Sequence, residues 1–586
     1  MGPDRTRDAV SPDRLSTLHR LVPALDSLRR YTAQDARSDL AGGLSVAAVA
    51  VPQAMAYALI VGLPPEIGLY TAVVMTTVGA LFSPSRQLIN GPTNAISIAL
   101  LGAIGAVEDP ALKVQAAILM AFLVGAIQLA ISFARLGDLT RYVSHSVIVG
   151  FTAGASLLLV LDQLKNLLGQ GAVGDVHDHF LLRFWSSLTQ GDPVHGPTLA
   201  LGLATIAVVL ILRWIKRRVD WPLFPEFLVV IVATAAITAV WRLDLQGVAV
   251  IGQIPPALPA PSLPRFDYQW MRDYASSALA IGLLGLLEAI AMAKVIASAT
   301  RQKLDMNQQC LSEGLANMAG SFFSCMPGSG SLTRSAINQQ AGARTQWSGI
   351  VSAAAVTAIV LLFAPLAHYI PRTALAALLM LTAARMVNLN DLKYHLRASR
   401  FDAVIVTTTA VSAFAISIEF CILIGVIMSF LLAVPRTGNI LLTEFVQADG
   451  DHVRERLEED PVPVRVLVFG LEGELFFGSS VSLEQHLQTI EGRVTPDTRV
   501  VVLRMKRARN PDAVGLAAIT GLVDRLQERG VHVLFCGVRP DLRKSLERSR
   551  LLQRLHADHV FLERPVRQTS TQEAMRFARR LCEANA

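Results

Sequence analysis

The chain has 586 residues, of which 52% are hydrophobic and only 17% charged, and its mean hydropathy is +0.44. Soluble chains lie nearer ~45–50% apolar with glycine counted and ~25% charged, so a disordered chain, a soluble multidomain enzyme and a secreted disulfide scaffold are excluded and a polytopic membrane protein is left. The 53 basic against 46 acidic residues fit the Lys and Arg of cytoplasmic loops rather than nucleic-acid binding, and the five cysteines, with no CxxC and no His at ligand spacing, point to neither disulfides nor a metal.

Residues 1–40 are polar and carry Arg5, Arg7, Arg14, Arg20, Arg29, Arg30 and Arg37. No apolar stretch follows at signal-peptide distance, so the segment reads as a cytoplasmic N-terminal region. From 41 to 437 the chain is a series of charge-poor apolar runs. A spanning helix needs about 20 apolar residues, and the runs amount to about fourteen membrane elements, two of them half-helices. Basic residues mark alternate loops: Arg86, then Arg135 and Arg141, then 213–218, then Arg301 and Lys303, Arg344, and Lys393 with Arg397 and Arg400. The positive-inside rule then places the N-terminus in the cytoplasm, and an even number of spans places the C-terminus there too. After a linker at 438–462, strand-like runs at 464–477, 498–505 and 531–536 alternate with helical patterns at 479–490, 511–529 and 539–553. That order predicts a small cytosolic α/β domain over 463–567, with a tail at 568–586.

Two segments interrupt the membrane pattern: Asn90-Gly91-Pro92-Thr93-Asn94, and Met326 to Ser335, which reads MPGSGSLTRS. Non-helical backbone survives at membrane depth only where protein buries it or it lines a cavity. Interrupted segments at matching places in two halves point to a transporter site. The first break lies about 50 residues into the first half and the second about 55 residues into the second, so an inverted repeat is inferred from spacing. A half-helix N-terminus offers free N–H donors and partial positive charge, so two facing ends favour an anion. Thr93, Ser331 and Thr333 add hydroxyls, and Arg334 adds a full charge. Read instead as surface turns, the breaks would leave Arg334 snorkelling to a headgroup. Glu288 lies in the otherwise apolar 281–293 segment. It reads either as a proton- or cation-coupling acid, or as a salt bridge with a basic neighbour or a polar contact that stabilises helix packing; Lys294, six residues on, is off its helical face. Gln53 and Tyr57, at i and i+4, share one face of a helix that contains Pro52; they suit either a site or helix packing.

Val51-Pro52-Gln53-Ala54-Met55-Ala56-Tyr57-Ala58, followed by Gly62-Leu63-Pro64-Pro65 and Gly68-Leu69-Tyr70, resembles the signature of the SulP anion transporters. Gly91-Pro92 is similar to the start of their third helix. Pro327 to Ala336, with Gly342-Ala343-Arg344-Thr345, is similar to their tenth-helix motif, and the C-terminal domain resembles the STAS module. The resemblance implies a seven-plus-seven inverted repeat, core and gate domains that move elevator-fashion, and a homodimer. It implies an anion held between the starts of helices three and ten by Gln53, Tyr57, Thr93, Thr333 and Arg334, with Asn94 where small residues are more usual. It gives Glu288 the coupling role. Ala289 and Ala293, where sodium-coupled relatives place an acid and a hydroxyl, favour proton symport or anion exchange. In many STAS domains an Asp-Ser pair carries a regulatory phosphosite. Here Pro511-Asp512-Ala513-Val514-Gly515 has no hydroxyl, so a structural or partner-docking module is expected.

The expectation is a multi-pass cell-membrane protein that carries small inorganic oxyanions, sulfate first, with a proton as co-substrate, and no catalytic residues, metal or cofactor. A bicarbonate or dicarboxylate carrier, a passive anion channel and a membrane sensor signalling through STAS remain alternatives. Nucleobase permeases share the architecture but lack a STAS tail.

Overall fold

Where no water is available, a chain must satisfy its own backbone, and helices do so segment by segment. In the computed structural model the apolar runs are accordingly helices: α1 (Ala33–Val61), α2 (Pro65–Phe82), α3 (Asn94–Ile104), α4 (Pro110–Phe133), α5 (His145–Leu168), α6 (Gly196–Val219), α7 (Glu226–Val240), α8 (Tyr268–Thr300), α9 (Met306–Ser321), α10 (Leu332–Gln340), α11 (Trp347–Phe363), α12 (Arg372–Met386), α13 (Arg400–Ala415) and α14 (Ile418–Thr437). The structure describes residues 22–29, 31–137, 144–170, 180–219, 224–416, 418–448, 453–564 and 568–584. Most of the expected N-terminal region, Arg141, and residues 565–567 at the end of the expected α/β domain lie outside these. The chain divides into two units, 1–429 and 430–586.

Among the described residues, eight helices are long and apolar enough to cross a membrane. The apolar parts of α3, α7 and α14 are shorter, and α9, α10 and α13 have 16, 9 and 16 residues. Before α3 and α10 lie β1 (Asn90–Gly91) and β2 (Ser329–Gly330). They pair antiparallel, Asn90 with Gly330 and Gly91 with Ser329. This is the opposed arrangement expected of two inverted half-helices.

α1 begins at Ala33, ahead of its apolar run, because Thr32 and Asp35 form a capping box. Close packing rests on small residues. A Cβ on Gly125 of α4 would lie 2.6 Å from the Met318 main-chain N of α9, and one on Gly68 of α2 would lie 1.9 Å from the Ala54 main-chain O of α1. Gly68 therefore sits where two helix backbones touch. Gly68→Ala should cost about 3 kcal/mol of stability, read as an early melt of the detergent-purified protein by size exclusion. An unchanged melt would mean that α1 and α2 are not in backbone contact.

The second unit is a six-stranded sheet in the order β4-β3-β5-β6-β7-β8. The strands are β3 (Leu441–Gln447), β4 (Val453–Glu455), β5 (Val466–Glu474), β6 (Val500–Arg509), β7 (His532–Val538) and β8 (Val560–Leu562). β5 to β8 run parallel, and β3 is antiparallel to β4 and β5. Strand side chains alternate between faces. Leu467, Phe469, Val501, Leu503, Val533 and Phe535 pack under α15 (Ser480–Arg493), α16 (Ala513–Glu528) and α17 (Pro540–Arg548). Val468, Val502, Leu534 and Cys536 meet Ala574, Met575 and Ala578 of α18 (Thr569–Ala584). β3 and β4 fall in the stretch expected as a linker, and α18 in the stretch expected as a tail. Asp512 caps α16, accepting from Gly515 N at 2.9 Å and from Phe477 N at 2.7 Å.

Candidate anion-binding site

The site is built where β1 crosses β2 and each strand hands over to a half-helix. Gly91 has φ +143°, a conformation that favours glycine, and a Cβ there would come within 3.1 Å of the Arg334 guanidinium. A Cβ on Gly328 would lie 2.4 Å from the Gly91 carbonyl oxygen. The non-helical backbone is satisfied by protein, as membrane depth demands. Ser331 N donates to Ile89 O at 2.8 Å, and Ile89 N donates to Ser335 Oγ at 2.8 Å. Thr76 Oγ1 donates to Asn90 O at 2.6 Å. Asn317 brackets Gly328, accepting from its N–H at 3.0 Å and donating to its carbonyl at 3.1 Å.

Thr93 caps α3 and Ser331 caps α10, so the two N-termini, with their partial positive charge, start from one crossing. Thr93 does a second job: its Oγ1 donates to Glu288 Oε2 at 3.0 Å. Ser329 Oγ donates to the same oxygen at 2.7 Å. The half-buried Glu288 of α8 therefore ties the two crossing segments together. Its hydrogen-bond partners are these two hydroxyls, and Lys294 is not among them.

Arg334 is fully buried. Its Nη2 donates to Pro92 O at 2.9 Å, while its Nε and Nη1 have no protein partner. A buried guanidinium with unused donors is a costly arrangement in a folded chain, and one that an anion would relieve. Tyr57 and Glu288 lie within electrostatic range of it. α1 packs against both α3 and α10, and Tyr57 and Gln53 are buried on it. Both polar side-chain atoms of Gln53 lack a protein partner. Asn94 is buried in the first turn of α3.

Thr93, Tyr57, Glu288 and Arg334 are thus gathered at the crossing, with Gln53 one turn away from Tyr57. The Ser331 hydroxyl accepts from Arg334 N at 3.5 Å. Thr333 instead lines a cavity of about 430 Å³ with Arg213, Lys216, Glu226 and Arg385. In that cavity Glu226 pairs with Lys216 at 2.9 Å and Arg213 at 3.6 Å. Sequence reasoning missed Ser329, although the alternation Gly328-Ser329-Gly330-Ser331 marks an extended strand with a second hydroxyl. It also missed Glu313, a buried acid on α9. Among the described residues no cluster of His, Cys, Asp and Glu could hold a metal ion.

The profile of the Sulfate permease family matches residues 37–409, and that of the STAS domain matches residues 459–565. The chain is 28% identical over 551 residues to the "Probable sulfate transporter MT1781" of Mycobacterium tuberculosis (strain CDC 1551 / Oshkosh), covering 93% of this chain and 97% of that protein. The murine Solute Carrier 26 family member A9 anion transporter, solved in the inward-facing state, superposes with a TM-score of 0.86 at 21% identity, over 98% of this chain and 97% of that one. The transmembrane domain of the cyanobacterial bicarbonate transporter BicA superposes with a TM-score of 0.58 at 26% identity, over 68% of this chain and 98% of that one.

Proposed function

Since the chain belongs to the sulfate permease family, whose members are anion transporters and not enzymes, we propose that it carries sulfate by secondary active transport. The observation that carries this reading is Arg334, buried with two unused donors where the N-termini of α3 and α10 meet. A compact oxyanion needs several converging donors and little net cation. One guanidinium, the helix ends and the buried Gln53 amide offer that. A dicarboxylate would want a second cation at its far end. The names of relatives add support for sulfate, and BicA keeps bicarbonate as the second reading.

Glu288 is the proposed proton carrier. It bonds Thr93 and Ser329 together, so its charge state acts on the crossing that holds the anion, which suits proton symport or anion exchange. Alternating access would move α1, α3, α8 and α10 as a core against a gate that includes α5, α6, α7 and α12. A homodimer with both termini in the cytoplasm, and a docking role for the STAS unit, complete the proposal. Reconstitution in proteoliposomes tests it. Radiolabelled sulfate uptake should saturate, rise with an inward proton gradient or with an anion on the far side, and fall with excess unlabelled sulfate more than with succinate. Uptake blind to both driving forces would mean a channel, and competition by bicarbonate ahead of sulfate would move the substrate assignment.

A further inference from the structure

We propose that Glu313 is a second proton-binding carboxyl of this transporter, reached from the loop at residues 83–87 and acting on the anion site through Asn90. The inference rests on the reading of a proton-coupled carrier.

Glu313 lies on α9, which packs against α4 and α2, and it is fully buried. Its Oε1 accepts from Asn90 Nδ2 at 2.8 Å and from Gln309 Nε2 at 2.9 Å. Its Oε2 has no protein partner. A glutamine could accept the same two bonds without any charge, so an acid at this place is more than the packing requires. A buried carboxylate with donors on one oxygen alone is costly, and a proton on the other oxygen removes the charge. Among the described residues the titratable groups facing it are Glu288 and, one turn earlier on α9, the Cys310 thiol. Among the described residues no Lys, Arg or His forms an ion pair with it. α2 presents Gly79 and Ser312 contributes a hydroxyl bonded to the Gly79 carbonyl at 3.1 Å, so the neighbours offer no compensating cation.

The position gives the proton a consequence. Asn90 is the first residue of β1 and pairs with Gly330 of β2, two residues before the Pro92 carbonyl that holds Arg334. Glu288 grips the same crossing at Thr93 and Ser329, so two acids hold it through different residues. Hydrogen bonds also link Glu313, through Gln309, to the loop at residues 83–87. Ser83 Oγ donates to Gln309 Oε1 at 3.2 Å, and Ser83 begins the loop that carries the exposed Arg86. The step is the transfer of one proton from solvent to the Glu313 carboxylate, and no other bond changes.

The test reads sulfate uptake by the full-length protein in proteoliposomes, as the ratio of rates at about pH 5.5 and about pH 7.5. Glu313→Gln should lower that ratio about fivefold or more, and Glu313→Asp, which keeps the acid, should restore it in part. Infrared difference spectra of the purified protein should show a carboxylic-acid carbonyl band that titrates with pH and is lost in Glu313→Gln. A wild-type ratio left unaltered by Glu313→Gln, or spectra in which no acid band is lost, would overturn the proposal. An acid band assigned to Glu313 together with pH-independent wild-type uptake would leave its proton binding standing and sink proton-coupled transport instead.

Discussion

Arg334→Leu is expected to reduce sulfate uptake by at least about thirtyfold, since losing a buried charged partner removes about 2–5 kcal/mol of binding. Among the described residues the guanidinium is the one full positive charge at the β1–β2 crossing, with a single protein bond, from Nη2 to Pro92 O. Its Nε and Nη1 are left for a ligand. The same features predict the opposite sign for stability. Replacing an uncompensated buried charge with a hydrocarbon of similar bulk is commonly neutral or stabilising. The variant should therefore melt at the same temperature as the wild type or higher while transport is lost. Arg334→Lys keeps the charge but not the planar fork, and should leave weakened uptake, about tenfold down in apparent affinity. Normal uptake by Arg334→Leu would place the anion elsewhere.

Glu288→Gln should lose most of its response to a proton gradient, about tenfold or more, while retaining part of its sulfate-for-sulfate exchange. The amide oxygen can still accept from Thr93 Oγ1 and Ser329 Oγ, which sit 3.0 and 2.7 Å from one carboxylate oxygen. What it cannot do is change charge. Glu288→Ala removes the common acceptor, leaves two hydroxyls in the crossing without it, and should lose exchange as well as the gradient response. Counterflow and gradient-driven uptake, measured on the same vesicles, separate the two effects. A Glu288→Gln protein with full gradient response would remove Glu288 from the coupling role.

Much of this site is legible in the sequence because its chemistry needs residues that stand out in a membrane. Gly91-Pro92 and Pro327-Gly328 cannot continue a helix, and Arg334 and Glu288 are charges in apolar surroundings. What the sequence does not display is the pairing of Asn90 with Gly330, 240 residues apart, because two-residue strands carry no periodic pattern. Thr333 and Arg334 are neighbours in sequence, but an α-helix turns about 100° between successive residues. One therefore lines the cavity with Arg213 and Arg385 while the other reaches Pro92. Glu313 was hidden because α9 is rich in Gly, Ser, Asn and Gln, as its close approach to α4 at Gly314 and Leu129 requires, and so does not read as a membrane helix. In the α/β unit, the buried strands β5, β6 and β7 announce themselves as apolar runs. β3 is half exposed, and β4 has three residues, two of them exposed. α18 shows Ala574, Met575 and Ala578, with Ser570 and Thr571, as its buried residues among arginines.

The most direct measurement of the central claim is to locate the anion itself. Selenate has the shape and charge of sulfate and a strong anomalous signal. A crystal grown with it should show an anomalous peak within hydrogen-bonding distance of the Arg334 guanidinium, between the first turns of α3 and α10 and facing Gln53 and Tyr57. A peak confined to the cavity lined by Thr333, Lys216 and Arg385, with the Arg334 site empty, would contradict the account.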